Sequence, residues 1–259
     1  MDKNLISIII ITRNRAGFIS KAIESALGQS FPDWELIIID DASQDNTGEI
    51  IKSYIAKDAR IKYFRNDEHL RISKSRNKAL SLARGEYVAV LDSDDVWSDR
   101  DKLKKQYEFL ERNKDYVLVG GGVIVIDEHG QETKRYFNRE SDENIRGKIL
   151  FQNQFAHSSV MFKRDVALKV GGYDENLNIG EDYDLWLKLG TLGKMANLKE
   201  YLLKYRVHGG NITLKRIEAL KNNIAIIRKY KNRYPNYYLA YARRALRSLI
   251  YRLIPFING

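Results

Sequence analysis

The chain's strongest constraint is a set of apolar runs without the alternation of a half-exposed strand. They are LISIIIIT (Leu5–Thr12), WELIIID (Trp34–Asp40), IKYFR (Ile61–Arg65) and EYVAVL (Glu86–Leu91). Continuous hydrophobicity calls for a sheet covered on both faces, hence a parallel one. Helix-like stretches fall between the runs, at Ala16–Leu27, Thr47–Ala56 and Ser73–Ala83. Regular strand–helix alternation predicts a doubly wound α/β half. Ligands of such sheets bind beyond the carboxyl ends of the strands. The polar residues collect there: TRNR (Thr12–Arg15), DDASQDNT (Asp40–Thr47), RNDEH (Arg65–His69) and DSDD (Asp92–Asp95). Loops are polar in general, but these clusters at successive strand ends point to one shared mouth.

The 259 residues are enough to bury a large core, and a hydrophobic content of 44 % with 11 % aromatics describes a globular chain. The absence of cysteine excludes disulfides, thiolate metal sites and a cysteine nucleophile. The first residues lack a basic n-region and a small-residue cleavage site, and their apolar run of about eight residues is too short to span a bilayer. They read as a first buried strand. The net charge of +10 is placed unevenly. From Lys215 onward there are eleven Lys or Arg against one acid, Glu218, while the rest balances 33 against 33. A neutral body with a basic C-terminal segment points to an anionic partner surface, either lipid head groups or nucleic acid.

After Trp97 come a charged helix (Arg100–Asn113) and a glycine-bearing strand, YVLVGGGVIVID. The middle of the chain carries HSSVMFKRD (His157–Asp165), GGYDE (Gly171–Glu175) and GEDYDLWLKL (Gly180–Leu189). No flexible linker or internal repeat interrupts it. The last 45 residues read as two helices broken near Pro235.

Three carboxylates within LDSDD repel one another unless a cation neutralises them, and the cluster contains no basic residue. A bound divalent cation answers this. Oxygen ligands favour Mg²⁺, Mn²⁺ or Ca²⁺ over zinc, and Mg²⁺ is usually shared with substrate phosphates, which points to a nucleotide or diphosphate ligand. Ser93 or one of the acids could instead cap the helix that follows. In IIIDDAS, an aspartate accepts a base N–H or a ribose hydroxyl, or else caps its own helix. Arg13, Arg15, Arg71 and Arg76 suit bidentate contacts to phosphate, or remain solvated. Glu181 and Asp182 either complement a helix dipole or present a general base to a cleft.

Taken together, SIIIITRNRAGFISKAIESALGQSFPDWELIIIDDASQDNT, RNKALSLARGEYVAVLDSDD, HSSVMFKRD, GGYDE and GEDYDLWLKL resemble the family 2 glycosyltransferases of bacterial polysaccharide and glycan biosynthesis. The resemblance runs in order from about Leu5 to His208. It implies a GT-A fold: a Rossmann-like, mostly parallel central sheet flanked by helices, here with a C-terminal helical extension. The implied layout is a nucleotide-sugar-binding half (1–98), an acceptor-binding and catalytic half of the same domain (99–213) and a basic amphipathic tail (214–259). The implied activity is inverting transfer of a sugar from a nucleoside diphosphate, UDP foremost, to a hydroxyl of a glycan or lipid-linked acceptor, assisted by Mn²⁺ or Mg²⁺. A sugar-nucleotide nucleotidylyltransferase and an inactive nucleotide-binding relative are the rival readings. A nucleotidylyltransferase would carry a glycine-rich, lysine-bearing loop after the first strand, which TRNRAGF is not.

Residue by residue, the resemblance implies donor contacts from Thr12, Arg13, Asn14, Asp40, Asp41, Arg71, Arg76, Asp92 and Ser93. Asp92 and Asp94 fill the acidic positions of the DxD motif, with Asp94 on the metal and Asp92 on the ribose or sugar. Asp182 matches the general base with Glu181 beside it, and His208 matches a late histidine at the metal or diphosphate. Trp97 and His157 fall on the acceptor side, and Asp95 has no assigned role. The sequence departs from the family in HLRISKSRNKAL, where Leu70 and Arg71 occupy a loop that is usually built of small residues, and Leu80 stands where glycine is common. In the tail, Leu239, Ala242, Leu246, Leu249 and Leu253 can share one helical face, with Arg243, Arg244, Arg247 and Arg252 on its flanks and back. Such a helix lies on an anionic membrane or packs on the body with solvated arginines. No nucleic-acid-binding motif accompanies it. The expected location is cytoplasmic, peripheral on the inner membrane face if the tail docks there.

Overall fold

The structure, a computed structural model, describes residues 2–209 and 216–253. Among the described residues nine strands form one mixed sheet: β1 (Asp2–Thr12), β2 (Trp34–Asp40), β3 (Ile61–Arg65), β4 (Gly85–Val90), β5 (Val96–Trp97), β6 (Tyr116–Ile126), β7 (Glu132–Tyr136), β8 (Met161–Lys163) and β9 (Lys194–Arg206). Their order is β3-β2-β1-β4-β8-β6-β9-β5, with β7 added alongside β6. The first four are parallel, as continuous hydrophobicity predicts. Ile6, Ile8 and Ile10 join one buried layer, while Ile9 and Ile11 join the other. A strand's period of two thus supplies two cores from a single isoleucine run.

Helices α1 (Ile19–Leu27), α2 (Thr47–Ile55) and α3 (Ile72–Leu82) connect these strands. The remaining helices are α4 (Lys102–Arg112), α5 (Asp142–Ile149), α6 (Arg164–Lys169), α7 (Glu181–Gly190), α8 (Arg216–Lys229) and α9 (Tyr237–Leu253). The second half of the sheet is not a simple continuation. β8 runs antiparallel to both β4 and β6, whereas β6 and β9 are parallel. Leu118 and Val119 of β6 pair with β8, and Val123–Ile126 pair with β7. Between them lie Gly120, Gly121 and Gly122, where the register against β9 shifts. A Cβ on Gly120 would sit 2.3 Å from Asn197 Oδ1, and one on Gly122 would sit 2.3 Å from Phe137. Only glycine allows this close crossing.

The two tail helices pack against α7. Asp184 on α7 is fully buried and accepts hydrogen bonds from Tyr230 (3.0 Å) and Lys229 (3.2 Å) of α8. Ile226, Ile227, Tyr234, Ala240 and Arg244 are buried. The face that the sequence marks as apolar points outward instead, with Leu239, Leu246 and Leu249 between 52 and 65 % exposed. The side chains of Arg252 and Leu253, and the boundary between 213 and 214, lie outside the described residues. Among the described residues no helix is long and apolar enough to cross a membrane.

Candidate active site

The carboxyl ends of β1, β2 and β4, the loop after β3 and the start of α7 open onto one cavity of about 900 Å³. β1 delivers Thr12 and the loop Arg13–Arg15. Thr12 Oγ1 is buried without a hydrogen-bond partner, and the Thr12 carbonyl accepts the N–H of Asp41 (2.8 Å). Asn14 adopts a left-handed backbone (φ 50°) and ties this loop to the one after β2. Its N–H donates to Ser43 Oγ (3.0 Å), and its Oδ1 accepts from the N–H of Gln44 (2.8 Å). Arg13 lines the cavity, and Arg15 lines it with Nε 3.5 Å from the Asp94 carboxylate.

The neighbouring Asp40 and Asp41 part company. Asp40 is buried outside the cavity lining, accepting from the Ser43 N–H (2.8 Å) and the Tyr63 hydroxyl (2.7 Å). It therefore clamps its own loop. Asp41 lines the cavity and accepts from Asn66 Nδ2, from the Leu70 N–H and the Arg71 N–H, with His69 Nδ1 2.8 Å away. Burial alone would raise this carboxyl, but these hydrogen bonds and the His69 charge hold it below its ordinary value. Arg71 itself sits at φ 72°, ψ 165°, a region almost confined to glycine.

The centre of the cavity is built on Arg76 of α3, whose side chain is 6 % exposed. It forms a close ion pair with Glu181 and donates to Asp92 Oδ1 at 3.0 Å. His157, on a single 3₁₀ turn (His157–Ser159), places Nδ1 3.1 Å from the same Asp92 oxygen and Nε2 3.2 Å from the Tyr173 hydroxyl. With the proton on Nδ1, the imidazole donates to Asp92 and accepts from Tyr173. Burial pushes Asp92 upward, but His157 and Arg76 outweigh it and hold the carboxyl far below its usual range. Glu181 is raised: burial dominates, Arg76 opposes it, and Asp182 adds to it.

The LDSDD cluster divides its acids. Asp94 lies on the cavity wall with Oδ2 2.9 Å from His208 Nε2. Asp95 is 2 % exposed and structural: it accepts from Ser158 Oγ (2.6 Å) and from the Arg206 N–H (2.9 Å), joining the β4 end to β9. Burial and then the charges of Asp94 and Asp92 push its carboxyl well up. Ser93 is buried at the lining. Trp97 is also buried but off the cavity, donating from Nε1 to the Ser158 carbonyl (2.8 Å), so it supports the turn carrying His157. Among the described residues no three His, Asp or Glu side chains form a complete metal cage. Asp94 and His208 together offer one oxygen and one nitrogen. That set suits a divalent cation completed by substrate phosphate and water.

Glu181 and Asp182 open α7, reached through Gly180 in a left-handed conformation (φ 85°). The glycine turns the chain so that consecutive carboxylates face different partners. Both line the cavity, but Glu181 is paired with Arg76, whereas Asp182 accepts from Asn153 Nδ2 at 3.1 Å. Sequence reasoning missed Asn153, Tyr173 and His69. Tyr173 and His69 stand out in the sequence only as members of GGYDE and RNDEH, with no role of their own, and nothing local marks Asn153, whose partner is 29 positions away.

A helix-flanked mixed α/β sheet with an acid-lined cavity at its strand ends is the architecture of a GT-A glycosyltransferase, and solved relatives share it. The mannosyltransferase PcManGT of Pyrobaculum calidifontis, solved with GDP-Man and Mn²⁺, superposes with a TM-score of 0.69 over 96 % of this chain and 75 % of that one, at 16 % identity. Residues 7–170 match the family described as Glycosyl transferase family 2, so the chain belongs to that family and is an enzyme of the glycosyltransferase class. An uncharacterized glycosyltransferase of Methanocaldococcus jannaschii is 35 % identical over 225 residues, 85 % of this chain and 77 % of its own length. The UDP-Glc:α-D-GlcNAc-diphosphoundecaprenol β-1,3-glucosyltransferase WfaP of Escherichia coli is 33 % identical over 218 residues, 83 % of this chain and 82 % of its own.

Proposed function

We propose that this glycosyltransferase inverts the anomeric centre in a single displacement, taking the sugar from a nucleoside diphosphate, UDP foremost, to a hydroxyl of a glycan or lipid-linked acceptor. The observation that carries this reading is the separation of Glu181 from Asp182. Both carboxylates line the cavity, but Arg76 engages Glu181, which leaves Asp182, held by the neutral amide of Asn153, as the α7 carboxylate available to take a proton. The acceptor oxygen attacks the anomeric carbon while its proton passes to Asp182. The bond from that carbon to the diphosphate breaks, and its electron pair leaves with the nucleotide. Thr12, Arg13, Asn14, Asp41, Arg71, Asp92 and Ser93 surround the donor, Asp40 shapes its loop from behind, and Arg76 holds Asp92 in place. Asp94 and His208 would hold Mn²⁺ or Mg²⁺, which when bound supplies Lewis-acid stabilisation to the departing diphosphate. His157 bridges the donor side to Tyr173 on the acceptor side.

The name of WfaP supports a UDP donor and a lipid-diphosphate acceptor. The PcManGT complex supports a divalent cation. The outward stripe of Leu239, Ala242, Leu246 and Leu249 on a basic helix supports docking to an anionic membrane surface.

The deciding experiment is sugar transfer from a panel of UDP-, GDP- and dTDP-sugars with and without Mn²⁺, paired with thermal-shift measurement of donor binding. Asp182→Asn is expected to lose about 10²–10⁴-fold in turnover, as for a general base, while keeping its donor-induced shift. Asp94→Ala is expected to lose the metal-dependent part of that shift. Near-normal turnover by Asp182→Asn would overturn its assignment.

A further inference from the structure

A second cavity, of about 770 Å³, adjoins the first. Its walls come from the segment after β7, the end of α5, α8 and α9. Five cationic residues line it, Arg139, Lys148, Arg243, Arg244 and Arg247, and among the described residues no Asp or Glu does. The rest of the lining is apolar or amide, including Asn138, Gln152, Gln154 and Asn223. Concentrating like charges in a concavity focuses a positive field and draws anions into it. Arg244 carries the argument furthest. It is 7 % exposed, and its guanidinium donates to neutral oxygens: Nε to the Leu150 carbonyl (2.8 Å) and Nη2 to the Tyr183 hydroxyl (3.3 Å). A buried guanidinium is costly without a counter-charge, and burial weakens its hold on the proton. A ligand bearing negative charge offsets that cost.

The position of this cavity tells what the ligand is attached to. Asn153 lines both cavities, and its Nδ2 donates to Asp182 across the boundary. The donor groups of β1 and β4 line the first cavity and are absent from the second. An anion held here therefore lies next to Asp182 through Asn153 and away from the donor groups, in the space left to the acceptor. Guanidinium forks match phosphate oxygens bidentately.

We propose that the second cavity binds the phosphate or diphosphate group of the acceptor, so that a sugar phosphoester spans Asn153 and presents its hydroxyl to Asp182. This deepens the functional reading above and rests on Asp182 marking the reaction centre. Three of the five cations, Arg243, Arg244 and Arg247, come from the tail's basic excess, on which the donor site does not draw.

Calorimetry with the full chain tests it, with UDP and Mn²⁺ saturating the donor site. The probes are a hexose 1-phosphate, the neutral hexose and inorganic phosphate, each titrated into wild type and Arg243→Ala/Arg247→Ala. These two residues are exposed, so the fold should survive, and retained UDP binding checks it. The hexose 1-phosphate should bind wild type more tightly than either control. The double variant should lose at least about tenfold of that affinity, the size expected when charge-assisted hydrogen bonds are removed, with UDP affinity unchanged. No binding of the hexose 1-phosphate, or equal binding by the double variant, overturns the proposal. Inorganic phosphate binding as tightly as the sugar phosphate means a free-anion site and overturns the acceptor assignment. If the arginines matter only for binding phosphatidylglycerol vesicles, they serve lipid head groups and the proposal falls. Failure of UDP to bind at all would instead strike at the donor reading and leave the sugar-phosphate comparison to be read by itself.

Discussion

Replacing Arg76 with methionine tests whether the charge hub holds the site together. The guanidinium is 6 % exposed and the Glu181 carboxylate 9 %, so the pair is screened little by solvent. Removing one partner of such a buried pair typically costs ~3–5 kcal/mol, because the remaining charge is left uncompensated. The Asp92 contact adds less, since that carboxylate is 31 % exposed and retains His157. For a domain of this size each kcal/mol shifts the melting temperature by about 2–4 °C, so the expected fall is roughly 6–20 °C.

The loss has a pH signature. Burial already raises the Glu181 carboxyl, and without Arg76 to oppose it the group rises further. A carboxyl whose folded pKa lies above its unfolded value weakens the fold at high pH, and that penalty disappears as pH falls through the folded pKa. The deficit of Arg76→Met should therefore be largest at neutral and alkaline pH and shrink toward the acid side. Arg76→Met/Glu181→Gln removes the stranded charge and should recover most of the stability at neutral pH. Thermal melts of wild type and both variants across pH are sufficient. A single variant melting with wild type, or a double variant no better than the single at any pH, would refute the reasoning.

Arg71 gives an opposite prediction for stability and binding. Arg71→Gly should gain about 1 kcal/mol by relieving a glycine-type backbone, and Arg71→Ala, which keeps the strain, should not. Donor affinity should fall in both if the side chain contacts the diphosphate, and equal melting temperatures would remove the strain argument. Membrane docking predicts that the full chain co-sediments with anionic vesicles at low salt and that Leu246→Glu/Leu249→Glu abolishes this without lowering the melting temperature. Indifference of wild type to the vesicles would end that reading.

The first half of the fold was legible because a strand buried on both faces must be apolar throughout. Isoleucine runs of this kind leave few alternatives to a parallel sheet. The boundaries moved at the helix starts: α1 begins at Ile19, not Ala16, since the loop Asn14–Ala16 is tied to the residues after β2. The antiparallel insertion of β8 was not legible. Three residues carry no periodicity, and their partners on β4 and β6 lie more than forty positions away.

By itself, the sequence determined where the site would be. A sheet covered by helices leaves its strand ends as the place where polar groups can meet, and the acids and arginines of this chain are grouped there. It also determined the family, through the order of its motifs. The tertiary structure alone decided which partner claims each acid: Asp41 lines the cavity while Asp40 clamps its own loop, Arg76 takes Glu181 and leaves Asp182 to Asn153, and Asp94 meets His208 while Asp95 turns to Ser158. It likewise turned the tail's apolar stripe outward and gathered Arg243, Arg244 and Arg247 beside Arg139 and Lys148. The reason is geometric. Neighbours in sequence share chemistry and local propensity, but the partner that claims each side chain lies up to a hundred or more residues away, and only the packed chain brings it there.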